Sequence, residues 1–326
     1  MNSFGTIFRV TIWGESHGSQ IGVSIDGIPA GIPLTESDFD ADLGLRRAGK
    51  KGTTPRIESD VPHIVSGVFK GKTSGSPLTI IFFNENAHSD EYTDLRVQPR
   101  PSHADFSAAV KHGGHNDYRG AGHFSGRITI GMVAAGVVAK KILGEEVLFR
   151  TSLVEVGGVK DESKFSEIIA DAAAKHDSVG GVVCSEVLGI EAGLGEPFFD
   201  SVESVAAHLL FAIPGIKGVE FGSGFEGAKL LGSENNDCFI DANGRTATNN
   251  AGGVNGGITN GNPVVVRVAF KPTPTISRPQ MTFDFSRGEV AELVIKGRHD
   301  ICIALRAGVV VEAAMAIALA DLKLRG

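Results

Sequence analysis

The chain has 326 residues, 42% hydrophobic and 21% charged, which is ordinary globular composition with enough length for a substantial core, and argues against disorder as its main state. Its net charge of −7 and pI near 5.8 argue against a generic nucleic-acid binder, while leaving room for a local basic pocket inside an acidic shell. The opening residues, with no basic start before an apolar run, predict no signal peptide; no apolar stretch reaches the ~20 residues of a membrane span, and three scattered cysteines (Cys184, Cys238, Cys302) suit a reducing cytoplasm rather than a disulfide framework.

In chain order, the dense β-branched run Phe8–Trp13 predicts a strand, and Gly14-Glu15-Ser16-His17-Gly18 follows directly at its end. A second strand is expected at Gly22–Ile25. Thr35-Glu36-Ser37-Asp38 has the pattern of a capped helix start, with Phe39 and Leu43 at helical spacing after it. The densest basic stretch, Arg46-Arg47-Ala48-Gly49-Lys50-Lys51-Gly52, comes next. Strands are expected at Pro62–Val68 and Leu78–Phe83. Beyond them lie Arg100-Pro101-Ser102-His103-Ala104-Asp105 and the glycine-rich stretch Gly113–Gly122. A helix apolar on nearly all faces runs from about Ser125 to Leu143, which predicts an interior position. Amphipathic helices are expected at Ser163–Lys175 and Ser201–Ala212, with strands at Gly181–Val187 and Val264–Phe270. After Gly297-Arg298-His299-Asp300, a second all-round apolar helix runs from about Arg306 to Leu324. No linker, repeat or composition break divides the chain, so one domain over residues 1–326 is expected. Closely spaced strands make antiparallel pairing the expectation.

The 43 glycines are nearly twice the average share of roughly 7%. They suit turns between short strands, or backbone that must approach a ligand closely. Arginines in Gly/Pro loops of an acidic protein suit phosphates or carboxylates, because guanidinium presents a fork of donors; a solvated surface patch is the plain alternative. His17, between a strand end and a glycine, can reach a ligand and titrates near neutrality, which suits general acid work. His103 lies three residues after Arg100 in a proline-stiffened turn. Asp300, beside Arg298 and just before a helix, would stay ionised and could serve as a base. His112-Gly113-Gly114-His115 resembles half of a metal site, but no cysteine or carboxylate at suitable spacing completes it. No Walker loop, Rossmann fingerprint or nucleophile elbow is present.

Taken together, these segments resemble the chorismate synthase family from Phe8 to Leu324. The likeness rests on Phe8-Arg9-Val10-Thr11 with Gly14–Gly18, on Arg100–Asp105 with Asp117-Tyr118-Arg119-Gly120, on Gly195–Asp200 and Lys217–Glu220. It continues through Ala251-Gly252-Gly253, Gly256-Gly257-Ile258, Lys271-Pro272-Thr273 and Gly297–Asp300. So many segments in family order make the resemblance specific. It implies an α+β fold, a β-α-β sandwich with central helices between antiparallel sheets. It also implies a phosphate lyase that converts 5-enolpyruvylshikimate 3-phosphate to chorismate by 1,4-elimination, using reduced FMN without net redox change. By that resemblance His17 would protonate or hydrogen-bond the departing phosphate, His103 would protonate the reduced flavin, and Asp300 would act as base. Arg46, Arg47, Arg100, Arg127 and Arg298 would bind the substrate's anionic groups. Arg46, His123, Phe124, Ser125, Gly256, Lys271, Pro272, Thr273, Pro274, Thr275 and Arg298 would line the flavin. A homotetramer is implied. No reductase domain is visible, so reduced FMN would come from an external flavin reductase, with NADPH only as the external reductant. No metal is implied.

Two positions depart from the family pattern. Gly52 stands where many relatives have a second arginine, leaving Lys50, Lys51 or Arg56 as candidates to replace it. His123 stands where an arginine associated with flavin is common. The chain is also short between Leu148 and Val182. A flavin-dependent oxidoreductase and a non-catalytic anion-binding protein are the alternative readings. The presence of His17, His103 and Asp300 together disfavours the second of these.

Overall fold

A computed structural model describes residues 1–49, 51–86, 94–295 and 299–326. Two antiparallel sheets enclose a layer of helices. The first sheet runs in the order Ser3–Phe4, Arg9–Gly14, Gln20–Asp26, Leu78–Phe83, His63–Ser66. The period of two in its sequence places one face inward: Ile21, Val23 and Ile25 are buried opposite Phe82, Ile80 and Leu78. The second sheet runs Ile216–Phe221, Val264–Phe270, Gly181–Leu188, Leu148–Val156. Val264, Val266, Val268 and Phe270 alternate inward in the same way.

Between the sheets lie the two helices expected to be apolar all round, Thr129–Leu143 and Ala304–Arg325. They pack on each other, the first also against the first sheet and the second against the second sheet. Their backbones approach closely at Gly136, where an added Cβ would stand 2.4 Å from the Ala313 Cβ. Helix Val202–Ala212, capped by the Ser201 hydroxyl accepting from Ser204 N–H, covers the flank of the last helix. The expected sandwich of central helices between antiparallel sheets is the observed architecture.

Some boundaries differ. The first central helix begins at Thr129 rather than Ser125, because the Ser125 hydroxyl caps a separate 3-10 turn, Gly126–Ile128, by accepting from Arg127 N–H. The strand expected over Pro62–Val68 ends at Ser66 after an irregular register, and Val68–Phe69 pairs instead with Lys72–Thr73. Among the described residues, no helix is long and apolar enough to cross a membrane.

Candidate functional site

A cavity of about 820 Å³ opens where the ends of both central helices meet the loops of the first sheet. Its walls come from segments far apart in sequence. Strand Arg9–Gly14 ends in the loop that carries Ser16 and His17, both buried. That loop is clasped by the segment Asp117–His123: Ser16 N–H donates to Gly122 O at 3.1 Å, and His123 Nδ1–H donates to Gly14 O at 2.8 Å. The donor assignment follows because a carbonyl only accepts. Gly120, Ala121 and Gly122 all have positive φ (54°, 70° and 52°), so the clasp curls back on itself.

The arginines form the second wall. Arg46 ends helix Asp40–Arg46 and is 3% exposed. Its Nη2 donates to Gly126 O and Arg127 O, and its Nε to the Thr129 hydroxyl. Burial draws its pKa down to about 9, and Arg306 adds to this, while Asp60 opposes it. The guanidinium therefore remains cationic at neutral pH. Asp60, itself 3% exposed, bridges two guanidiniums: Oδ1 accepts from Arg127 Nη1, and Oδ2 lies 3.5 Å from Arg46 Nη1. Arg127 Nε donates to Asn84 Oδ1, and its buried Nη2 has no hydrogen-bond partner. A buried guanidinium nitrogen without a partner costs free energy unless a ligand satisfies it. The two residues before Asp60 hold the other two arginines. Ser59 O accepts from Arg47 Nη2, and Glu58 Oε1 accepts from Arg56 Nε and Nη2. Arg56 also donates to the hydroxyl and the carbonyl of Ser16.

The third wall holds His103 and Asp300. Arg100 grips Asp105 through Nε and Nη2, each at 2.7 Å, and donates from Nη1 to the Thr275 hydroxyl at 3.0 Å. Asp105 Oδ1 is 2.7 Å from His103 Nδ1, so the Nδ1 proton points at the carboxylate. Burial alone would raise the Asp105 carboxyl, but the hydrogen bonds from Arg100 and His103 outweigh it and hold the pKa well below the usual carboxylate range. Burial pushes the His103 imidazole down from its ordinary value; Asp105 opposes this, and Arg100 and Lys271 add to it. A neutral resting imidazole with its Nδ1 proton fixed leaves Nε2 as the acceptor. Asp300 is 7% exposed and ion-paired with Arg306 at 2.8 Å; it also accepts from Thr54 N–H at 2.9 Å.

His17, Arg46, Arg47, Arg100, His103, Arg127 and Asp300 therefore share one cavity. Arg100, expected to bind substrate, lies in the wall, but its donors are directed at Asp105 and Thr275, which makes it the support of the His103 loop. Of the residues expected along a flavin, His123, Phe124, Ser125 and the segment from Lys271 to Thr275 line the same cavity. Gly256 does not: it turns the hairpin Val254–Asn255/Ile258–Thr259, where Gly257 O is tied to Val202 N–H outside the cavity wall. Arg298 and Gly297 lie outside the described residues, as does Lys50. Gly52 has φ +90°, its carbonyl accepts from Ile301 and Cys302 N–H, and a Cβ there would stand 2.7 Å from Ile169 Cγ2. A side chain as large as arginine does not fit that position. Of the candidates to replace one, Arg56 lines the cavity, whereas Lys51 is exposed and does not.

Asp60 and Arg306 were not singled out from the sequence as site residues. Asp60 sits in an unremarkable Glu-Ser-Asp run, and its partners Arg46 and Arg127 lie 14 and 67 residues away in the chain. Among the described residues, no group of three or more His, Cys, Asp or Glu that could hold a metal ion is found, at His112 and His115 or elsewhere.

A family model described as chorismate synthase matches residues 8–324. A chorismate synthase of Chitinophaga pinensis is 58% identical over 324 residues, covering 99% of this chain and 97% of that protein. One of Thermococcus gammatolerans is 45% identical over 345 residues, covering 98% and 97% respectively. Among solved structures, a crystal structure of chorismate synthase superposes with a TM-score of 0.76 at 28% identity, covering 99% of this chain and 93% of its own.

Proposed function

This chain belongs to the chorismate synthase family, and from that premise we propose that the arginine-lined cavity is where 5-enolpyruvylshikimate 3-phosphate loses its phosphate. The protein is a carbon–oxygen lyase of the shikimate pathway, forming chorismate and phosphate by 1,4-elimination on the way to aromatic amino acids. The observation that carries the site assignment is the grouping of Arg46, Arg47, Arg56, Arg127 and Arg306 with His17, His103 and Asp300 around one cavity. The substrate bears a phosphate and two carboxylates, so several fixed cations are required to bind it and to stabilise the leaving group.

Arg46, Arg47 and Arg127, with Arg298, hold the anionic groups. His17 hydrogen-bonds or protonates the departing phosphate, and Asp300, oriented by its ion pair with Arg306, acts as the base for the proton lost from C6. Reduced FMN, when bound, supplies electron density to the elimination and leaves it without net redox change. The residues present fit that group. The buried Thr273 hydroxyl has no hydrogen-bond partner, Lys271 offers a cation beside it, and His123, Phe124 and Ser125 flank the same space. A volume of about 820 Å³ lies in the upper part of the range for ligand sites, roughly 300–1,000 Å³. His103, whose Nδ1 proton is turned to Asp105, would present a proton from Nε2 to reduced FMN only once the ring is protonated. Its resting pKa is lowered, and an anion bound at Nε2 would raise it.

We read residues 1–326 as one catalytic domain, since both sheets and the helical layer build the cavity. The family resemblance implies a homotetramer, and exposed Phe198, Phe199 and Phe225 are apolar surface that contacts between copies would cover. Reduced FMN would be supplied in the cytoplasm by a separate flavin reductase, with NADPH only as its external reductant. Anaerobic incubation with reduced FMN and the enolpyruvyl substrate should release phosphate without net flavin oxidation. Stoichiometric flavin oxidation, or no turnover, would count against the lyase.

A further inference from the structure

The clasp from Asp117 to His123 presses on one ring in particular. A Cβ built on Gly120 would stand 2.0 Å from His17 Cε1 and 2.2 Å from Nδ1, against 3.2 Å from Nε2. The Cε1–Nδ1 edge of the imidazole therefore lies directly on the Gly120 backbone, and Nε2 is the ring nitrogen farther from it. His17 is 8% exposed and borders the cavity, so the space open to a displaced ring is the ligand space itself. The clasp itself is fixed independently of this contact, by the Ser16–Gly122 and His123–Gly14 hydrogen bonds and by the Asp117–Arg119 ion pair at 2.8 Å.

We propose that Gly120 is a positioning residue for His17: its bare backbone is the surface that sets the plane of the imidazole, and so decides which ring nitrogen meets the ligand. Left-handed backbone alone does not explain a glycine here. Ala121, next in the chain, holds φ +70° with a side chain, so the loop tolerates alanine in that conformation. What Gly120 cannot accept is the atom that would occupy the space of the ring. The catalytic part of this proposal rests on the role assigned to His17 above, whereas its structural part does not.

Gly120→Ala tests it. Displacing an acid–base group by an ångström costs on the order of a hundredfold in rate, so kcat should fall by about that factor with KM changed little. In a His17→Ala background the same substitution should cost almost nothing, because the ring it displaces is gone. Independently of turnover, the His17 imidazole resonances and titration midpoint should move in Gly120→Ala, while those of His103 stay in place. If Gly120→Ala fails to fold, the Gly120→Ala/His17→Ala protein should recover a cooperative thermal transition. Wild-type kcat in Gly120→Ala, equal costs in the two backgrounds, unmoved His17 resonances, or a double variant no more stable than the single one would each overturn the proposal. Should wild-type protein show no lyase activity, the resonance and stability comparisons still decide the role of Gly120.

Discussion

Asp105 shows how one side chain can fix the charge of two others. It accepts two hydrogen bonds from Arg100 and faces the Nδ1 proton of His103. Its folded-state pKa is depressed below the unfolded value of about 3.9, so its contribution to stability is complete above roughly pH 5 and is lost as pH falls toward the folded-state value. Asp105→Asn removes that charge. The variant should lose stability at pH 7, and the gap to wild type in urea unfolding should narrow as pH falls below about 4. The His103 midpoint should move further down, because the group that raises it is gone. An equal stability gap at pH 3 and pH 7 would contradict this assignment. At this scale the sequence was informative where chemistry is local: Gly14–Gly18 and Arg100–Asp105 bring their own strand end, proline and ion pair. It was silent on Asp60, a non-glycine residue at φ +52° whose role exists only once Arg46 and Arg127 have been folded against it.

Secondary-structure elements were legible in proportion to how completely they are buried. The two central helices and the strands Leu78–Phe83 and Val264–Phe270 carry continuous or alternating apolar residues, which is the signal the period of a buried element leaves. Strand Leu148–Val156 lies at a sheet edge with no buried residue before Val156, and its register shifts between Leu153 and Glu155; Ile216–Phe221 is interrupted by Lys217 and Gly218. The hairpin Gln280–Asp284/Glu289–Leu293 is largely exposed and leaves little apolar alternation. Contact between the central helices joins the two halves of the sandwich. Gly136→Ala gains helix propensity of up to about 1 kcal/mol, but its Cβ would meet Ala313 Cβ at 2.4 Å and Cα at 2.7 Å. Overpacking of that kind typically costs roughly 1–3 kcal/mol, so the variant should unfold at lower denaturant. Combining it with Ala313→Gly should restore part of the loss; additive destabilisation would show that the helices do not meet there.

Across the whole molecule, Asp321 ties the layers together. It is fully buried on the last helix and accepts from the backbone N–H groups of Thr6, Ile7 and Phe8, as well as from Arg325, which also reaches Asp200. One carboxylate thereby joins the first sheet, the last helix and the turn before helix Val202–Ala212. Asp321→Asn keeps the shape but replaces an acceptor by a donor facing donors. The loss should be about 3–5 kcal/mol, as for a broken buried pair, read as a lower midpoint in chemical denaturation. A midpoint equal to wild type would mean the clasp is dispensable. The same long reach governs the cavity. Thr54 N–H meets Asp300 across 246 residues, and Arg46 meets Arg127 across 81. Loop closure over such spans must precede the contacts that reward it. On the ribosome, the arginines and Ser16–His17 emerge long before Asp300 and Arg306 exist to complete the wall. A nascent chain therefore presents the arginines with Asp60 and Glu58 but without the Asp300 wall, and must reach the last helix before its ligand can report, or reward, correct folding.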